Sequence, residues 1–190
     1  ESASMNKPEP HGSMEGVNGS KAFAKQLVSQ YFLGANAARF SVVSFAEDAT
    51  TRVPWSYDVA EINVGIDAMT ASGWTSISDG FEAARQLFAD GGREDATKIV
   101  LLVSDGEQTV DAAPGKTLYQ TAVDAAALVK GDNVRVFAWG FGTVNLMTLQ
   151  QLATEPSLAE FAKGIVDLQD YLDLLPVCTA ALPPPHPPSP

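Results

Sequence analysis

The stretch KIVLLVSDGE, residues 98–107, decides the fold class. Five apolar residues, Ile99 to Val103, stand between a lysine and a serine, which is typical of a strand buried on both faces of a sheet. The run ends abruptly in Ser-Asp-Gly, and its aspartate is Asp105. Asp-Gly is a common turn pair, but a carboxylate directly after a buried strand also lies where α/β sheets bind ligands.

Helical and strand patterns alternate on both sides of this stretch. Residues 78–90 and 117–130 place apolar side chains on one face of a helix, whereas residues 38–46 and 134–142 resemble strands. Strands separated by helices of about ten to fifteen residues imply right-handed crossovers and a mostly parallel sheet. We therefore predict a doubly wound α/β fold with a mostly parallel central sheet and helices on both faces.

The remaining predicted elements complete this alternation. Helices are expected at residues 20–34, 58–69, 146–154 and 167–175. A further strand-like run, residues 50–55, contains Pro54, which cannot donate to a ladder and so favours the edge of a sheet.

Composition narrows the classes of partner. The 190 residues suit one domain with a sizeable core, and 45% hydrophobic with 18% charged residues is ordinary for a globular protein. A formal net charge of −11 repels nucleic acid and anionic membrane surfaces and favours a cation. Because no apolar run approaches the roughly 18 residues of a membrane span, we expect no direct membrane insertion of this segment.

Polar clusters at predicted strand ends or in adjacent loops supply candidate ligands. ESAS at the start contributes Ser2 and Ser4, SGWTSISDG before a predicted helix contributes Thr75, and the aspartate stretch contributes Asp105. Taken alone, each of these residues is more typical of an ordinary loop or turn than of a metal site. Together they form a set of hard oxygen ligands of low formal charge, which suits Mg²⁺, or Ca²⁺ or Mn²⁺, with an outside carboxylate as a further ligand.

In order and spacing, these pieces resemble the von Willebrand factor type A domain. The metal-ion-dependent adhesion site of that family consists of D-x-S-x-S after the first strand, a threonine in a later loop and an aspartate after the fourth strand. ESAS resembles this serine motif without its first aspartate, and the resemblance extends over about residues 1–177. It implies a Rossmann-like von Willebrand factor A domain over residues 1–178, truncated at its amino end.

The resemblance also implies roles for the candidate ligands. Ser2 and Ser4 would bind the metal through their hydroxyl groups, and Asp105 directly or through water. Thr75 would bind directly or through water according to the conformational state. A partner's Asp or Glu would complete the coordination, which implies a metal-dependent adhesion or ligand-binding module. The alternative is a structural module that packs against neighbouring domains of an extracellular polymer, cell wall or cell-surface filament.

The missing first aspartate leads to an expectation about the sheet. In the family's strand order, the strand that ends in this aspartate lies between residues 39–45 and residues 98–104. We therefore expect the native chain to continue upstream with about five to seven apolar residues ending in aspartate. In the structure, the two flanking strands should lie apart, with residue 1 beside Asp105.

Enzymatic motifs are missing from the sequence. It contains no G-x-S-x-G elbow, and WGFGTV lacks the third glycine of a dinucleotide-binding loop. The two histidines, His11 and His186, stand in a polar loop and in the proline-rich tail, so a catalytic triad is not indicated. We expect a binding module and no enzyme.

The end of the chain points to an extracellular or cell-surface location. Residues 179–190 hold a proline-rich run, either a plain linker or the start of a stalk that resembles hydroxyproline-rich glycoproteins of algal and plant matrices. Asn18 lies in an N-G-S glycosylation pattern. Cys178 is either a buried small side chain or half of a disulfide. The family resemblance favours a disulfide to a cysteine outside residues 1–177.

Overall fold

The computed structural model describes residues 3–6 and 14–176. Its α-helices are α1 (Ser20–Ser29), α2 (Val59–Asp67), α3 (Ile77–Gly91), α4 (Leu118–Gly131) and α5 (Leu146–Leu152). Its strands are β1 (Phe40–Phe45), β2 (Ala49–Ser56), β3 (Ile99–Ser104), β4 (Arg135–Phe141) and β5 (Ala159–Ala162). Three 3₁₀ helices cover Ala3–Asn6, Pro156–Leu158 and Ile165–Leu174. The predicted alternation of helices and strands is confirmed, although the last predicted helix is a 3₁₀ helix.

The described strands form two sheets. β3, β4 and β5 make a parallel sheet in that order, with Ile99 opposite Arg135 and Ser104 opposite Gly140. β1 and β2 make a separate antiparallel pair. Pro54 lies in β2, which pairs only with β1, so its predicted position on an edge strand agrees with the structure.

β4 is the buried centre of the parallel sheet, and helices cover both of its faces. Trp139, which is fully buried, packs on one face against Phe23 of α1 and Tyr171 of the last 3₁₀ helix. On the other face Gly140 lies so close to Leu149 of α5 that a Cβ atom could not be accommodated. The predicted α/β fold with helices on both faces is therefore confirmed.

The burial predicted for β3 is only partly correct. Leu102 and Ser104 are buried, whereas the other four residues of the strand are only half-buried. The cause is that β3 pairs with β4 along one edge, while no described strand pairs along the other. The prediction that β1 and β3 do not pair with each other is confirmed.

Two cavities, of about 1200 and 230 Å³, lie between β1 and β3. Apolar residues from both strands and from the two helices that cover the gap line both cavities: Leu27, Val43, Ala84, Val100 and Leu101. The Ser41 hydroxyl on β1 is buried without a hydrogen-bond partner among the described residues, and Ser41 lines the larger cavity. The space between the strands therefore has apolar walls and backbone edges without a strand partner, as a strand position in a sheet requires.

A strand placed in this space should stabilise the domain. We expect a fused segment of about six β-branched residues ending in aspartate, added before Glu1, to form roughly ten backbone hydrogen bonds at about 1 kcal/mol net each. That gain is comparable with the whole stability of a typical domain, about 5–15 kcal/mol. Urea denaturation should show higher stability, and amide hydrogen exchange should show slower exchange in β1 and β3.

The matched control carries the same segment with alternating prolines, which cannot donate to a ladder. If exchange in β1 and β3 is the same in both fusions, the space does not accept a strand.

Candidate metal centre

Ser4 and Asp105 meet at the carboxyl end of β3. Asp105 follows the strand directly, and Ser4 lies in the 3₁₀ helix Ala3–Asn6. The Ser4 hydroxyl donates a hydrogen bond to Asp105 Oδ1 at 2.8 Å, across 101 positions of sequence. Asp105 is buried, with 5% of its surface exposed. The structure thus brings together two of the predicted ligands.

The backbone of Asp105 is held by its neighbours. The Ser104 hydroxyl donates to the Gly106 carbonyl oxygen at 2.8 Å and closes the turn after β3. Thr143, in the loop after β4, donates to the Asp105 carbonyl oxygen from its backbone N–H at 3.2 Å and from its hydroxyl at 3.0 Å. Because β3 and β4 are parallel, their following loops meet at one end of the sheet, and Thr143 joins them there.

Thr75 is buried beside the same loop. Its backbone N–H donates to Thr109 Oγ1 at 2.9 Å, and its carbonyl oxygen accepts from the Thr109 N–H at 2.8 Å. Thr109 belongs to the loop that begins at Asp105. The backbone N–H of Ser76 donates to the Ala46 carbonyl oxygen at 2.7 Å, which fixes the start of α3 against the β1–β2 hairpin.

A further backbone contact closes the arrangement. The Ala3 N–H donates to the Gly73 carbonyl oxygen at 3.1 Å, so the segment that carries Ser4 also touches the segment that carries Thr75. Segments from three distant parts of the sequence therefore meet in one place. Ser2, the remaining predicted ligand, lies outside the described residues.

Gln108 connects the Asp105 loop with the first turn of α3, and the sequence analysis missed it. Its Oε1 accepts from the Ser78 N–H at 2.9 Å, and its Nε2 donates to the Ser78 hydroxyl and to the Val110 carbonyl oxygen, both at 3.0 Å. Thr109 and Thr143 were missed as well. A glutamine or threonine in a polar loop has no sequence pattern that distinguishes it from a solvated residue.

Acidic side chains cluster near the start of α3, next to the segment that carries Thr75. Burial raises the pKa of Asp79, in the first turn of α3, and the negative charges of Asp111 and Asp48 raise it further, while a hydrogen bond with Ser76 opposes the shift. The described loops at this end, residues 46–48, 70–79, 105–111 and 142–147, contain no lysine or arginine. Carboxylates in segments that lack lysine and arginine attract cations.

The donor set fits a hard divalent cation. Among residues 3–6 and 14–176, no group of three or more His, Cys, Asp or Glu side chains could hold a metal, so a centre here depends on hydroxyl oxygens with one carboxylate. Oxygen ligands of this type suit Mg²⁺, Ca²⁺ or Mn²⁺, whereas zinc favours nitrogen and sulfur. A single protein carboxylate leaves residual positive charge on the ion, which favours an external carboxylate.

The other predicted residues lie away from this centre or outside the described part of the chain. Asn18 is exposed in the turn before α1, so burial would not prevent the attachment of a glycan there. Cys178 and the proline-rich residues 179–190 lie outside the described residues, so the disulfide and the stalk stay predictions.

Comparison with known proteins identifies similar sequences. The family model of the von Willebrand factor type A domain matches residues 2–174. Matrilin-1 of Bos taurus is 26% identical over 145 residues, which is 72% of this chain and 25% of that protein. The collagen alpha-6(VI) chain of Mus musculus is 23% identical over 166 residues, 84% of this chain and 7% of that one. The chain thus spans about a quarter of the length of the matrilin it matches.

Solved structures show the same fold. Proximal thread matrix protein 1 from the mussel byssus has a TM-score of 0.74 and 25% identity, over 90% of this chain and 42% of that one. Another structure of the same byssus protein, with a zinc-occupied metal-ion-dependent adhesion motif, has a TM-score of 0.68 and 26% identity, over 80% of this chain and 38% of that one.

Replacement of Asp105 tests the centre. We expect Asp105→Ala to weaken Mg²⁺ binding by more than about tenfold. Loss of a residue that only hydrogen-bonds to a metal ligand already lowers metal affinity by about 10- to 100-fold, and Asp105 is proposed as a ligand itself. The fold should persist, because the Asp105 side chain is not part of the apolar core. Calorimetric titration with Mg²⁺ measures the affinity, and circular dichroism checks the fold.

Asp90→Ala is the matched control, since Asp90 lies near the carboxyl end of α3, whereas the site adjoins the start of that helix. Undiminished Mg²⁺ binding by Asp105→Ala would exclude the proposed centre.

Proposed function

The chain belongs to the von Willebrand factor type A domain family, and on that premise we propose that it is an extracellular adhesion module that binds an acidic side chain of a protein partner through a divalent cation. The hydrogen bond from Ser4 to Asp105 Oδ1 is the observation that carries this proposal, because it joins the serine motif and the aspartate of the family's metal site. Ser2 and Thr75 would complete the protein's ligand set.

The chain's own residues prepare the site for the ion. Thr143 holds the backbone of Asp105, and Thr109 holds that of Thr75, so the candidate ligands need little rearrangement when the ion binds. When bound, the ion supplies a positive charge that the partner's Asp or Glu can coordinate. Residues 46–48, 70–79, 105–111 and 142–147 supply no lysine or arginine that would compete with the ion for the carboxylates.

The relatives support an extracellular location and a role in protein assemblies. They include a matrilin, a collagen chain and a byssus matrix protein, and the byssus protein has been solved with zinc at its adhesion motif. Within the described residues, no helix is both long enough and apolar enough to cross a bilayer. Partners of this chain would accordingly be other extracellular proteins.

A structural role in an extracellular polymer is the second candidate function. It is favoured by large apolar side chains exposed on parts of the chain that do not form the site, such as Phe32 and Val64, which lie 64% and 69% exposed. Such side chains suit contacts between neighbouring domains. On this alternative, assembly would survive removal of the metal, whereas adhesion through the site would be lost with a chelator.

Thr75→Ala separates partner binding from metal binding. If Thr75 binds the ion directly only in a high-affinity state, its loss should weaken binding to an immobilised Asp-containing peptide by about tenfold and Mg²⁺ binding by less. An Asn-containing peptide gives the background, and each surface-binding measurement is repeated with EDTA.

Thr97→Ala is the control, because Thr97 is exposed at the opposite, amino end of β3. Equal losses of peptide and metal affinity in Thr75→Ala would contradict the two-state site. Peptide binding that persists in EDTA would favour the structural role.

A further inference from the structure

The turn before α1 contains Asn18, which has no part in the candidate metal centre. Asn18 is exposed and is followed by Gly19 in the sequence N-G-S. Its side chain makes no hydrogen bond with any described residue. Val17, the preceding residue, has 87% of its surface exposed, so this part of the turn stands out into solvent. The Asn18 carboxamide therefore has room to change its conformation.

The fold requires a glycine directly after Asn18. A Cβ atom on Gly19 would collide with the carbonyl oxygen of Glu15, so no other residue fits there unless the turn shifts. Gly16, in the same turn, has φ +86°, a conformation that also favours glycine. Because Gly19 has no side chain, its own Cα atom carries nothing that shields its backbone nitrogen from the Asn18 carboxamide.

The backbone nitrogen of Gly19 lies at the amino end of α1 but outside its hydrogen-bond ladder. Gly19 caps the helix, and its carbonyl oxygen accepts from the Phe23 N–H at 3.0 Å. Within the described part of the chain, the Gly19 N–H donates to the Gly16 carbonyl oxygen alone, at 3.2 Å. Exposed turns and helix ends open locally at little cost in free energy. The positive end of the helix macrodipole also favours a negative charge on this nitrogen.

We propose that Asn18 is a site of spontaneous deamidation in chains that carry no glycan there. The Gly19 nitrogen, after losing its proton to hydroxide, attacks Asn18 Cγ and forms a C–N bond. The side-chain nitrogen takes a proton from water and leaves as ammonia. Water then opens the five-membered succinimide at either carbonyl, which yields aspartate or isoaspartate. Asparagine is a thermolabile residue, and a following glycine hinders ring closure least.

The two modifications of Asn18 change the chain in different ways. A glycan occupies the nitrogen that deamidation would release. Deamidation instead adds a carboxylate to a chain whose formal net charge is −11, and an aspartate beside the amino end of α1 suits the helix macrodipole. Isoaspartate also inserts a methylene group into the main chain of the turn. This position therefore carries either a glycan or, with time, an additional negative charge.

Mass spectrometry of the folded, unglycosylated chain tests the proposal. In mildly alkaline buffer we expect the peptide that contains Asn18 to gain about one dalton, with isoaspartate identified by electron-transfer fragmentation. The conversion should become about tenfold faster per pH unit, because the attacking nitrogen is a deprotonated amide. Asn36 and Asn133 are internal controls, since both are exposed but neither precedes a glycine. Both should keep their amides.

Two further samples locate the reaction. Asn18→Gln should abolish the mass gain, because glutamine would have to close a six-membered ring. The chain unfolded in guanidinium chloride gives the rate without the turn, and we expect the folded chain to react at least as fast. Retention of the Asn18 amide in the folded chain, or a slower loss than in the unfolded chain, would overturn the inference. Equal conversion of Asn18, Asn36 and Asn133 would overturn it as well.

Discussion

The parallel pairing of β3 with β4 is the constraint on which the candidate site depends. Since both strands run in the same direction, the loops that follow them leave the sheet at the same end, and Thr143 can donate twice to the Asp105 carbonyl oxygen. Asp105 is thereby held at a fixed point, to which Ser4 brings its hydroxyl and beside which Thr109 holds Thr75. If β3 shifted against β4 by one residue, its side chains would point to opposite faces and these contacts would be lost.

The same end of the sheet concentrates carboxylates, and its described segments 46–48, 70–79, 105–111 and 142–147 contain no lysine or arginine. Burial raises the pKa of Asp79, and the negative charges of Asp111 and Asp48 raise it further. The repulsion disfavours the charged form of Asp79, and a cation bound nearby would reduce that repulsion.

The gap between β1 and β3 connects the fold with the site. Both strands present backbone edges that no described strand pairs with, and apolar side chains from α1 and α3 cover the space between them. A strand that ran through this space parallel to β3 would end beside Asp105, next to the segment that carries Ser4. An aspartate at the end of such a strand, as the family's strand order leads us to expect, would add a carboxylate to the candidate centre.

The sequence by itself determined most of the helices and strands, and the strand ends at which the candidate ligands lie. Apolar periodicity is a local property, so the alternation of helices and strands, the edge position of Pro54 and the location of Asp105 after β3 were all predictable. β5 was missed because its four residues, AEFA, are too few to show a period. The sequence also predicted more burial for β3 than the structure shows, because the burial of a strand depends on which strand lies beside it.

Only the tertiary structure decided which further polar residues share the site. The family resemblance predicted that Ser4 and Asp105 meet although they are 101 positions apart, whereas Gln108, Thr109 and Thr143 look like ordinary loop residues until the fold brings them together. The approach of Glu47 to Gly73 depends likewise on a hairpin and a loop that meet through backbone contacts. Hydrogen bonds between distant segments leave no local pattern in a sequence, since they are set by chain topology, and topology is set by the pairing of whole strands.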